Sequence, residues 1–268
     1  MNLLKRIGYL AVDSPFRELL NEEKDVDSNS LIPNTVYQTW ESRRLPRRLL
    51  SQIMTFRKRN PTFSFFLLDR EERDAFMQHV WGDRLIYEVY SRSIIPQMQV
   101  DIFRYCLLFS KGGWYFDINK CVSVPMSLLI DNNTEALVTF EGHNERISVV
   151  SQKVSSSILL PEHYMVQWGL ALKPMHKIME ILITSIESNF MQYVGRSFCN
   201  PKKAIIELTG PIAYTRAVHK YVELHSANGI KQLGIDFEGA GVFSMKGSGA
   251  RYLLIPNYAK LENSPILI

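Results

Sequence analysis

Cysteine is scarce in this 268-residue chain: Cys106, Cys121 and Cys199 are odd in number and form no CxxC pair. That sets aside both a disulfide framework and a cysteine-only zinc site, and a reducing cytosol is the compartment that fits. Long apolar runs are missing too, since no stretch approaches the roughly 20 residues of a spanning helix. The start, MNLLKRIGYLAVDSPFRELL, has neither a long apolar core nor a small-residue cleavage site, so any membrane contact is expected to be peripheral. The six histidines show no HxxxH or HxH spacing, which argues against a histidine-rich metal site. GxSxG, GxxxxGK[ST] and GxGxxG are all absent, removing the hydrolase elbow, the P-loop and the dinucleotide fingerprint. There is no repeat of solenoid or propeller length and no low-complexity tract.

What is present is ordinary globular composition, 46% hydrophobic and 22% charged. The length suits one large domain over 31–268, after an amphipathic and polar lead-in over 1–30. A formal charge of +4 is too weak to argue for nucleic acid. Its distribution is uneven, because Arg43, Arg44, Arg47, Arg48, Arg57, Lys58 and Arg59 crowd one short region. Such a cluster is either a solvated helix face or a surface for anionic membrane or phosphate.

Along the chain, LIPNTVYQTW reads as a buried strand ending at Trp40, and LPRRLLSQIMTFRKRNP as a helix with Leu49, Leu50, Ile53 and Phe56 inward. TFSFFLLD is a second strand and REERDAFMQHV a second helix. Strand, helix, strand, helix points to an α/β fold with a parallel sheet. From Asn132 to about Pro161 the chain is polar and serine-rich in places, which predicts a loop or lid beside the site. YMVQWGLALKPMHKIMEILITSIESNF predicts a short strand, a turn at Lys173-Pro174 and an amphipathic helix, and Gly210-Pro211 opens another helix. GVFSMKGSGARYLLIPNYAK reads as strands joined by a glycine-rich turn.

The most informative block is PQMQVDIFRYCLLFSKGGWYFDIN. Pro96 opens a helix and Gly112-Gly113 closes it. Asp101 and Arg104, three apart on one side, form either a structural bridge or a ligand contact. Strand alternation would carry Asp117 and Asn119 to one face at the carboxyl end of the next strand, where ligands gather in open α/β sheets. Two oxygen-bearing side chains there suit a hard divalent cation, the alternative being a turn held by Asx hydrogen bonds. Trp40, at another strand end, would stack on a flat base or pack in the core.

PNTVYQTW, NPTFSFFLLD, QVDIFRYCLLFSKGGWYFDIN, LKPMH and LTGPIAYTR, in this order and spacing, resemble the DXD-containing sugar transferases of glycosyltransferase family 32, over about Ile32 to Arg216. That family includes bacterial capsule and O-antigen enzymes and, more distantly, the yeast initiating mannosyltransferases and the glucosylating clostridial toxins. The resemblance implies a GT-A type, Rossmann-like fold with a central mixed, mostly parallel sheet, a nucleotide-sugar donor, Mn²⁺ or Mg²⁺, and transfer with retention. Residue by residue, it implies that Trp40 stacks on the nucleobase and Asp101 bonds sugar hydroxyls. Arg104 would contact the sugar or its phosphate, Tyr115 line the donor pocket, and Asp117 meet ribose and metal. Asn119 stands where the second Asp of DXD binds the metal, and an amide there removes one negative charge from the metal shell. Gln167 stands where the family shows Asn. PNYAKLENS replaces a His-rich segment, with Asn257 or Ser264 as substitute ligands.

The function expected from this likeness is transfer of a hexose (galactose, glucose, mannose or an N-acetyl derivative) from a UDP- or GDP-sugar to a lipid-linked oligosaccharide in O-antigen or capsule synthesis. The enzyme would sit on the cytoplasmic face of the plasma membrane. The alternatives are a toxin-like protein glycosyltransferase and a non-catalytic sugar-nucleotide-binding module.

Overall fold

The computed structural model describes residues 16–25, 29–142, 146–147, 150–247 and 260–268. Its centre is a six-stranded sheet. In chain order the strands are β1 (Thr35–Thr39), β2 (Ser64–Leu68), β3 (Gly113–Phe116), β4 (Ala136–Phe140), β5 (Gly169–Leu172) and β6 (Ile230–Ile235). In space they run β6-β4-β5-β3-β1-β2. Only β5 runs against its neighbours, so the sheet is mixed and mostly parallel, as the resemblance implies, where the alternation of elements alone points to a parallel one.

Among the described residues, eight α-helices cover the two faces: α1 (Arg47–Arg59), α2 (Arg70–Trp81), α3 (Leu85–Arg92), α4 (Pro96–Lys111), α5 (Gln152–Ser157), α6 (Lys177–Asn189), α7 (Pro201–Leu208) and α8 (Pro211–Leu224). The period of two along the strands sorts the core. Trp114, Phe116 and Leu137 point to the face covered by Leu49, Ile53 and Phe56 of α1. Tyr115, Ala136, Val138 and Phe140 point to the other, packed on α4, α6 and α8.

Local chemistry explains the elements that carry the site. Asp69 accepts from the Glu72 amide while Glu72 reaches back to the Asp69 amide, a capping box that starts α2 directly after β2. Pro96 occupies the first turn of α4, where its missing N–H costs nothing. Gly112 and Gly113 turn the chain from α4 into β3 at φ of 63° and 94°. A Cβ at Gly112 would lie 2.6 Å from the Pro174 ring, and one at Gly113 2.7 Å from the Thr35 carbonyl oxygen. Left-handed backbone and close approach together require glycine at both positions. Because α4 runs antiparallel to β3, its first turns return to the strand's carboxyl end, beside the ends of β1 and β2.

Two expectations change. Strand β3 stops at Phe116, and Asp117 to Lys120 form a turn in which the Lys120 amide donates to the Asp117 carbonyl at 2.8 Å. Strand alternation therefore does not set the faces of Asp117 and Asn119. The polar stretch from 132 to 161 is not a lid throughout, because Ala136–Phe140 is the wholly buried strand β4 inside the sheet and Gln152–Ser157 is α5. Residues 143–145 and 148–149 of that stretch lie outside the described residues. In the lead-in, Phe16–Glu18 pairs with Arg44–Pro46 and Glu22 bridges to Phe65, fastening 16–25 to the sheet's edge. The amphipathic start, 1–15, and most of the glycine-rich turn near the end lie outside the described residues.

Candidate active site

At the carboxyl edge of β1 and β3 a cavity of about 140 Å³ opens between the sheet and the first turns of α2 and α4. It is lined by Trp40, Asp101, Arg104, Tyr115, Asp117 and Gln167 among others. Six of the nine site residues named from the sequence and the resemblance thus meet in one place. A second cavity, about 690 Å³, shares Asp117 and Gln167 with the first and is walled by Trp168, Tyr164, Lys202 and Lys203. Asn119 lines neither cavity; its carbonyl accepts from the Met245 amide at 2.7 Å, pinning the turn to the segment Phe243–Ser244. Asn257 lies outside the described residues, and Ser264 pairs with Phe198 away from both cavities.

Arg104 organises the inner end. Its Nη2 lies 3.1 Å from Asp101 Oδ1 and 3.2 Å from Asp117 Oδ1, so one guanidinium bridges two carboxylates. Its Nη1 donates to the Gln167 carbonyl at 2.8 Å, and its plane lies 4.6 Å from the centre of the Tyr115 ring. Burial opposes the charge on Arg104, but Asp117, Tyr115 and Asp101 outweigh it and hold the guanidinium protonated. Burial pushes the Asp101 carboxyl up to about 7; Arg104 opposes the rise and Asp117 adds to it. Asp101 also accepts from Thr209 at 3.2 Å and from the Gln167 amide at 3.4 Å. With about four lone-pair sites on a carboxylate, three are taken and one is left for a ligand hydroxyl.

Thr209 and Tyr105 were not singled out from the sequence. Tyr105 donates to the Thr209 carbonyl at 2.7 Å and also reaches Gln167. This fastens α4, the segment before β5 and the threonine ahead of Gly210-Pro211 into one network.

The outer end is built differently. Arg73, on the first turn of α2, donates to Thr39 Oγ1 at 2.6 Å and to the Trp40 carbonyl at 2.9 Å. It thereby fixes the backbone that carries the indole. Trp40 is 4% exposed and Arg73 1%, yet Trp40 Nε1, Arg73 Nε and both amide atoms of Gln97 are shielded from water with no hydrogen-bond partner among the described residues. Buried polar groups are nearly always paired, so four orphans on one cavity mark a place for a polar ligand. Gln97 and Arg73 were not anticipated either. The signal for Gln97 was available, as it lies four residues before Asp101 on the same helix face.

The residues offer a divalent cation little. Among the described residues no group of three or more His, Cys, Asp or Glu could hold a metal ion. Asp117, whose side chain is 34% exposed, and Asn119 are two oxygen ligands at most. That donor set fits a Mn²⁺- or Mg²⁺-type ion that takes the rest of its ligands from phosphate oxygens and water.

A mixed sheet with charged and aromatic side chains gathered at its carboxyl edge, beside a helix N-terminal turn, has the architecture of a GT-A type fold. Residues 46–136 match the family described as "Glycosyltransferase sugar-binding region containing DXD motif", a span that includes Asp101, Arg104, Asp117 and Asn119. The chain is 23% identical over 233 residues to the initiation-specific alpha-1,6-mannosyltransferase of Candida albicans, covering 78% of this chain and 58% of that protein. It is 24% identical over 209 residues to the Schizosaccharomyces pombe protein of the same name, covering 75% and 51%. The chain thus spans about half the length of the curated relatives it matches. Among solved structures, the PaToxG glycosyltransferase superposes with a TM-score of 0.50 at 14% identity, covering 82% of this chain and 76% of that one. The chain is related to the DXD-containing sugar transferases.

Proposed function

We propose that this protein is a retaining glycosyltransferase that moves a hexose from a UDP- or GDP-sugar to a hydroxyl acceptor held in the larger cavity. The observation that carries the reading is Arg104: one buried guanidinium joined to Asp101 and Asp117 at the junction of the two cavities. In the donor complex Trp40 stacks on the base, Tyr115 and Asp117 line the ribose, and Asp101 uses its remaining lone pair on a sugar hydroxyl. Arg104 faces the departing phosphate and stabilises its charge in a site with little water. A divalent cation at Asp117 and Asn119, when bound, would supply further neutralisation of the diphosphate. Gln167, lining both cavities, positions acceptor against donor. The expected acceptor is a lipid-linked oligosaccharide of O-antigen or capsule synthesis, with the enzyme peripheral on the cytoplasmic side of the membrane.

Support for the membrane contact comes from Arg44, Arg47, Arg48, Lys58 and Arg59, which are all exposed along α1 and its lead-in. Arg43 and Arg57 serve the fold instead. Arg43 pairs with Glu72, while Arg57 is buried and donates to the Leu20 carbonyl. No helix among the described residues is long and apolar enough to cross a membrane.

The test is release of UDP or GDP from a panel of nucleotide sugars, with Mn²⁺, Mg²⁺ or EDTA, by wild type and Asp117→Ala. Release from one donor class that falls at least roughly 100-fold in the variant supports the assignment. A folded wild type that neither binds nor cleaves any donor refutes it.

A further inference from the structure

We propose that Gln97 reads the polar edge of the donor's nucleobase, a contact that rests on the nucleotide-sugar reading above. Its carboxamide offers one acceptor and two N–H donors, and both Nε2 and Oε1 are buried without a partner. An unpaired buried amide is a cost to the free protein, so the ligand that occupies this cavity must present a donor and an acceptor side by side.

The position of Gln97 indicates which part of the ligand that is. Asp101 and Arg104 follow it on α4 by one and two turns, and they are committed to Asp117, Thr209 and Gln167 at the inner end of the cavity. Gln97 instead shares the outer end with Trp40 and with the Arg73 that holds the Trp40 backbone. A flat ring against the indole, with adjacent N–H and C=O groups on its rim, is the imide edge of uracil or the lactam edge of guanine. Both pair with a carboxamide through two hydrogen bonds.

Gln97→Leu keeps the bulk and deletes both polar atoms, and Gln97→Glu keeps one acceptor geometry while removing the donors. The probes are UDP, GDP and ribose 5-diphosphate, which lacks the base, titrated calorimetrically into wild type and both variants. The expected result is a loss of roughly 10- to 100-fold in affinity for whichever nucleotide wild type binds, from two hydrogen bonds. Affinity for ribose 5-diphosphate should be unchanged, and the Tm of ligand-free Gln97→Leu should not fall, since no internal bond is removed. Equal losses for the base-free probe, or unchanged nucleotide affinity, overturn the proposal while leaving the transferase reading intact. A wild type that binds none of the three overturns both.

Discussion

The two ends of the smaller cavity handle polarity in opposite ways. At the inner end Arg104, Asp101, Asp117, Thr209 and Gln167 satisfy one another through contacts of 2.8 to 3.4 Å. At the outer end Trp40, Gln97 and Arg73 keep buried polar atoms unpaired. The inner end is preorganised: its charges are aligned before any ligand arrives, which is what stabilising a developing charge requires. The outer end is selective rather than preorganised, because it gains its missing bonds only from a ligand of the right pattern.

The comparison breaks most visibly at Arg104. Arg104→Met leaves two carboxylates without their shared cation, and the fold should lose about 3 kcal/mol, read by urea unfolding. Donor cleavage should disappear with it. A stability change below about 1 kcal/mol would show that the triad is not a unit.

The next effect is a pH dependence. Burial raises the Asp101 carboxyl from 3.8 to about 7 in the folded protein. Between those values the folded state holds a proton that the unfolded chain has released, so Asp101's contribution to stability falls as pH rises. Unfolding measured at steps from pH 4 to 8 should show the difference between wild type and Asp101→Asn declining through that window. A flat difference contradicts the burial argument.

Thr209→Val should cost about 1 kcal/mol, the worth of one hydrogen bond to a buried acceptor. Gln97→Leu should change ligand-free stability least, by under about 0.5 kcal/mol, because its amide has no partner to lose and its bulk is kept. If the glutamine variant destabilises more than the threonine variant, the contrast between the two ends is wrong. Separately, Asn119→Asp restores a carboxylate and should tighten Mn²⁺ binding several-fold in the presence of nucleotide, read by calorimetry.

Much of the fold was legible because local signals and tertiary packing agree. Pro96 and Gly112 bracket α4, the Asp69–Glu72 box starts α2, and alternating aromatics mark β3. Strand β4 was hidden because its four apolar residues and one threonine sit between polar flanks at 132–135 and 141–147, and composition averaged over the stretch outweighed the short run. The turn after Phe116 was misread because periodicity says nothing about where a strand stops. In the site, Asp101, Arg104 and Asp117 were legible as a local motif. Thr209 was not, since its bond to Asp101 joins residues 108 apart in sequence. Arg73 was read only as part of the second helix; the return of α2 across the end of β1 is what buries it.

The most direct test of the account is a crystal structure of the wild-type protein with UDP or GDP bound. The account predicts the base against Trp40 with its polar edge at Gln97, and the diphosphate on the Arg104 guanidinium. A nucleotide seated elsewhere, or one that leaves Trp40, Gln97 and Arg73 unpaired, would contradict it.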